Sequence, residues 1–213
     1  MKLPASLVAV ALVYLLPACA AQVYAENGEL LVRHKVHLKL CPGMRGSIGS
    51  LSSIGDARVT NAHVVAGCAP NPWDRVSKSK DLAVVTDGDP GVCRNAELGE
   101  PLVYAGFPGT NTNGIPFRSY QDLKLEQDEG TLTVSSEDVP LINPGTLEVQ
   151  LVKNLARGSS TYTRGGYSGG SVISKRDGRT VGIIVASGYG GKVTWFQPIE
   201  TVCEYIENGE DDE

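Results

Sequence analysis

The chain has 213 residues with a net charge of -5, from 19 Lys and Arg against 24 Asp and Glu. No basic run interrupts it, so nucleic acid is not expected as its main partner. Only three histidines are present and no two of the five cysteines form a CxxC pair, so a zinc site is not expected.

Met1-Lys2 precedes an apolar run, Leu7 to Leu16, and then small residues at Ala18, Ala20 and Ala21. This order of charge, apolar segment and small-residue stop predicts a secretory signal peptide over 1–20. The run is too short for a membrane span, which takes roughly 20 apolar residues. The remaining 21–213 suffice for one sizeable domain. Secretion or periplasmic export follows as the expected destination, and disulfides persist there. Leu16-Pro17-Ala18-Cys19 also resembles a bacterial lipobox, which gives an alternative end point, a lipid anchor at Cys19; Pro17 is atypical of that motif.

Beyond the leader, 25 Gly and 12 Pro are scattered and long amphipathic helical patterns are missing. Short apolar runs at 29–36, 81–85, 101–106, 146–152 and 180–185 alternate with turn clusters, which predicts an all-β sandwich or barrel. His34 and His37 alternate with apolar residues in the first run and read as solvent-facing. Residues 207–213 are almost wholly acidic and read as a solvated end.

Gly165-Gly166-Tyr167-Ser168-Gly169-Gly170-Ser171 carries the chemistry. A serine hydroxyl needs a neighbouring base to act as a nucleophile, and glycines let backbone N–H groups approach a developing oxyanion. The G-x-S-x-G pattern fits two folds. In α/β-hydrolases the histidine follows the serine, but all three histidines here, His34, His37 and His63, precede Ser168. The order His, Asp, Ser remains. Val59-Thr60-Asn61-Ala62-His63-Val64-Val65 offers the base, and Lys80-Asp81-Leu82-Ala83-Val84-Val85 offers a carboxylate ahead of an apolar strand. Asp74 and Asp87 are rivals, but neither directly precedes such a strand.

Together these three motifs resemble those of the trypsin/chymotrypsin-like serine proteases, and T-N-x-H-V-V is closest in style to secreted bacterial members. Glu97–Pro108 resembles the first strand of the family's second barrel, Val181–Gly188 the strand that pairs with substrate main chain, and Thr201–Ile206 the start of its C-terminal helix. The resemblance implies an all-β fold of two six-stranded antiparallel barrels with a short C-terminal helix. The first barrel would span about 28–93, the second about 97–200, and the helix and acidic tail 200–213. It implies a monomeric serine endopeptidase acting on protein or peptide substrates, with His63, Asp81 and Ser168 as triad and the N–H groups of Gly166 and Ser168 as oxyanion hole. The alternatives are a catalytically silent binding domain and an esterase on the same fold. By the same match Tyr162 lies at the base of the primary specificity pocket, Ser187 and Val193 form its other walls, and Val185 lies beside the substrate. No acidic residue stands at that base, so a small or apolar residue before the scissile bond is expected. The family's bridges suggest Cys41–Cys68 and Cys93–Cys203.

Two departures stand out. Tyr167 occupies the place where digestive members carry an aspartate that pairs with a newly cut N-terminus, so activation through that ion pair is not expected. The stretch from His63 to Asp81 is also shorter than is usual for the family.

Overall fold

The computed structural model describes residues 36–40, 48–66, 75–109, 123–142 and 149–209. The expected leader and lipid site, His34, Asp74, the Cys41–Cys68 bridge and the last four acidic residues lie outside them. The first sheet contains β1 (Val36–Leu40), β2 (Ile48–Ile54), β3 (Ala57–Thr60), β4 (Arg75–Ser77) and β5 (Leu82–Thr86). Its order is β1-β2-β3-β5-β4, with antiparallel neighbours. A one-turn helix, α1 (Ala62–Val65), follows β3.

The second sheet holds β6 (Pro101–Gly106), β7 (Glu126–Ile142), β8 (Val149–Ser160), β9 (Ser171–Ser174), β10 (Thr180–Gly188) and β11 (Val193–Pro198). These six close into a barrel in the order β10-β11-β8-β7-β6-β9. The expectation of two six-stranded barrels is therefore met in one half. Among the described residues the other half is a five-stranded sheet: β4 is three residues long and pairs only with β5, so it does not close on β1.

Leu102, Tyr104, Val172, Val181, Ile184 and Phe196 fill the barrel. A separate cluster joins the halves: Val59, Leu82 and Val84 of the first sheet meet Ile183 and the apolar face of α2 (Ile199–Asn208). Pro198 leads into α2, and Gly209, at φ 65°, ends it with an N–H donated to the Tyr205 carbonyl. The Cys93–Cys203 disulfide ties the segment between the two sheets to α2, as the family resemblance implied.

That inter-sheet segment also carries a charge network around the buried Glu100. Arg94 donates to both Glu100 oxygens, at 3.0 and 2.8 Å, and reaches Asp177. Glu100 also accepts the Glu97 N–H at 2.8 Å and the Ser174 hydroxyl. The Arg94 guanidinium holds the Glu100 carboxyl down to about 2, from an ordinary value of 4.5. Because the folded value is depressed, this stabilisation is complete above the unfolded value and is lost as pH falls from about 4.5 towards about 2. We predict that wild-type protein loses on the order of 3 kcal/mol across that window from this group. Glu100→Gln should be less stable at neutral pH and show a shallower acid loss when thermal unfolding is followed by circular dichroism.

Candidate active site

β3 ends at Thr60, and the chain turns at once into α1, whose Ala62, Val64 and Val65 are buried. Those three anchors leave His63 half-exposed. Asp81 stands at the end of the tight turn before β5, its N–H bonded to the Lys78 carbonyl at 3.1 Å. Its φ of 51° is left-handed, a region that Asp tolerates better than most residues. Asn61 Nδ2 holds the Asp81 carbonyl at 3.0 Å, so the residue before the helix braces this backbone.

The buried Asp81 carboxylate grips His63 twice. Oδ2 lies 2.7 Å from Nδ1, and Oδ1 accepts the His63 backbone N–H at 2.9 Å. With Nδ1–H directed at a carboxylate, the tautomer is fixed and Nε2 is left to accept a proton. Of the rivals, Asp87 instead pairs with Arg75 at the surface.

Ser168 lies in the turn between β8 and β9. Its hydroxyl donates to the Val185 carbonyl at 3.0 Å, so in this structure it rests against β10 rather than on His63. His63, Asp81 and Ser168 all line one cleft of about 330 Å³, together with Tyr167, Val185 and Ser187. Tyr162 and Val193 do not line it. Tyr162 sits beyond the end of β8, with its N–H bonded to Asp128 Oδ2 at 2.8 Å and its ring 5.0 Å from the Arg164 guanidinium. Val193 begins β11, opposite Gly188 and Ser159.

The turn carrying Ser168 is pinned peptide by peptide. Gly109 N–H bonds the Gly165 carbonyl at 2.8 Å, and Gly170 N–H bonds the Tyr167 carbonyl at 2.8 Å. In a trans peptide the carbonyl and the following N–H point opposite ways. The N–H groups of Gly166 and Ser168 are thus turned away from those occupied carbonyls, and neither has an acceptor among the described residues. Gly166, at φ 101°, has no room for a side chain: a Cβ there would lie 2.3 Å from the Phe107 carbonyl oxygen.

Sequence reasoning missed Ser50, on β2. Its hydroxyl donates to the Gly166 carbonyl at 2.9 Å and accepts the Phe107 N–H at 2.9 Å. Its backbone N–H donates to the Ser168 carbonyl at 2.7 Å. Two positions on, Ser52 donates to the Gly169 carbonyl at 2.8 Å. The first sheet therefore holds the turn of the second. Tyr167, in the place of the family's aspartate, is buried beside Gly106, and burial pushes its phenol well above the usual value. The turn has no charge at that residue; backbone bonds and Ser50 fix it instead.

Comparison with known protein families finds no match, and no curated protein matches the chain. Solved structures do. An HtrA-type protease, AlgW, with a tripeptide aligns at a TM-score of 0.62 and 18% identity, covering 88% of this chain and 64% of that one. The active form of Rv3671c protease from M. tuberculosis aligns at 0.60 and 17%, covering 90% and 88%. A chymotrypsin from Cellulomonas bogoriensis aligns at 0.53 and 17%, covering 81% and 93%. The chain spans just under two thirds of the HtrA-type protein. These likenesses establish the fold: it is that of the trypsin/chymotrypsin-like serine proteases. Among the described residues no helix is long and apolar enough to cross a membrane.

Removing the Ser50 hydroxyl would leave the Gly166 carbonyl and the Phe107 N–H unpaired in a buried seam, at a cost of about 1–3 kcal/mol. We predict that Ser50→Ala lowers stability by that amount when unfolding is followed by circular dichroism; an unchanged unfolding midpoint would remove Ser50 from the holding of the turn.

Proposed function

We propose that the protein is a serine endopeptidase in which Ser168 attacks the scissile carbonyl, His63 acts as general base and then general acid, and Asp81 orients His63. The observation that carries this reading is the double hold of Asp81 on His63 inside the cleft that also contains Ser168. Rotation about χ1 takes the Ser168 hydroxyl off the Val185 carbonyl and turns it towards Nε2. The proton passes to Nε2 as Oγ bonds the substrate carbon, and the carbonyl oxygen becomes an oxyanion. The N–H groups of Gly166 and Ser168 receive that charge. The protonated His63 then gives its proton to the leaving amine, which leaves an acyl-enzyme on Ser168. Water, deprotonated by Nε2, attacks the ester, and His63 returns that proton to Ser168 Oγ as the carboxylic acid product leaves.

Asp81 stays ionised throughout and stabilises the imidazolium. Each oxyanion donor is worth about 10²–10³ in turnover. Val185 and Ser187, at the end of β10, are the main-chain partners of the substrate. The specificity pocket, for a small or apolar residue before the cut, takes its walls from Tyr162, Ser187 and Val193, of which Ser187 lines the cleft and the other two stand outside it. The enzyme works without cofactor or metal, outside the cytoplasm, after loss of residues 1–20. It needs no cut N-terminus, because Tyr167 leaves no carboxylate for one to pair with.

The test is labelling with a fluorophosphonate, followed by peptide hydrolysis. Wild type should take one label, mapped to Ser168; Ser168→Ala and His63→Ala should take none. Asp81→Asn should label and turn over on the order of 10⁴-fold more slowly. Unimpaired peptidase activity in Ser168→Ala would end this reading, and a wild type that never labels would favour a silent binding domain.

A further inference from the structure

Residues 161–164 join the end of β8 to the turn that carries Ser168, and they belong to neither strand nor helix. No ladder fixes them, yet each is held. Asp128 Oδ2 accepts the N–H groups of Thr161 at 2.9 Å and Tyr162 at 2.8 Å, and Oδ1 accepts the Thr161 hydroxyl. Thr163 N–H donates to the Gly191 carbonyl at 3.1 Å. Arg164 Nη2 donates to Glu126 Oε1 at 2.7 Å, and its guanidinium lies 5.0 Å from the centre of the Tyr162 ring.

Glu126 and Asp128 both come from β7, two residues apart, so they stand on one face of that strand, opposite Gly106 and Tyr104 of β6. Asp128 is buried. The Arg164 side chain is only 10% exposed and lines the cleft, whereas that of Glu126 is 38% exposed. An ion pair open to water on one side adds little to stability, and burying a guanidinium carries a desolvation cost. The barrel core is filled without either carboxylate. What the two do hold is the approach to the nucleophile. The Arg164 carbonyl accepts the Tyr167 N–H at 3.2 Å, closing a turn whose third residue is Gly166.

Resting on the protease reading above, we propose that Glu126 and Asp128 are positioning residues for the oxyanion donors. Neither lines the cleft, and both act through residues 161–164. By fixing where the turn from Arg164 to Tyr167 begins, they set the direction of the Gly166 N–H. Ser50 holds the same turn from the first sheet through the Gly166 carbonyl, so the peptides around Gly166 are gripped from both halves. A donor displaced by about 1 Å loses most of its hold on a developing oxyanion, which can cost on the order of 10²-fold in rate. Removing one carboxylate while the Ser50 bond stays in place should cost less, about tenfold.

The test separates transition-state from ground-state binding in the full chain. Glu126→Ala should lower kcat towards a peptide substrate roughly tenfold, with KM and the unfolding midpoint unchanged. Glu126→Gln, which keeps one acceptor oxygen, should recover part of that loss. A peptide boronic acid reports on the same donors. Its boron takes the Ser168 oxygen, the Ser168 proton passes to His63, and one boron-bound oxygen occupies the oxyanion position. Its affinity should fall by the same factor as kcat. A fluorescent peptide titrated into Ser168→Ala protein by anisotropy should bind equally with and without Glu126→Ala. Asp128→Asn keeps the size and leaves one acceptor for three donors, so it should lower kcat and boronate affinity further; should it fail to fold, the Glu126 variants decide alone. Unchanged kcat in Glu126→Ala, an equal loss of peptide binding, or a fall in kcat that follows the unfolding midpoint and is not eased by Gln would overturn the positioning role. Absence of fluorophosphonate labelling in wild type would instead strike the protease reading on which this one rests.

Discussion

The site depends on a seam. His63 and Asp81 stand on the first sheet and Ser168 on the second, so their geometry holds only as well as the two halves are joined. The join is polar at its centre. Ser50 and Ser52 on β2 bond three carbonyls of the Ser168 turn, and Gln197 Nε2 bonds the Lys80 carbonyl next to Asp81 at 2.7 Å. Hydrogen bonds of this kind fix register, which apolar contact alone does not. Burial of Ile183, Ile199, Val202 and Ile206 against Val59 and Val84 supplies the cohesion behind them.

Charge is placed with matching economy. Asp81 is buried but fully engaged by one histidine, so its desolvation is offset by two charge-assisted bonds. Glu100 is handled in the same way by Arg94, away from the cleft. Tyr167 brings no charge at all. The turn beside it draws its conformation from backbone bonds and a serine.

Much of this was legible in the chain. The run at 101–106 became β6 with both ends where expected, and Thr180 opens β10 as read. His63, Asp81 and Ser168 line one cleft. Other parts carried no signal. β7 is 17 residues long, but it is rich in Glu, Asp and Ser because much of it is an exposed ribbon, so its pattern does not read as a core strand. The run at 146–152 marked only the beginning of β8. Ser50 and Ser52 alternate in β2 like a solvated face, yet both are fully buried, because that face meets the other sheet instead of water.

The account stands on the state of one imidazole. Nitrogen-15 NMR of protein labelled at histidine reads it directly, with His63→Ala identifying the resonance. At neutral pH the account predicts a protonated Nδ1 in a strong hydrogen bond that vanishes in Asp81→Asn, and an unprotonated Nε2. A protonated Nε2 with a bare Nδ1, or a spectrum unmoved by Asp81→Asn, would contradict it.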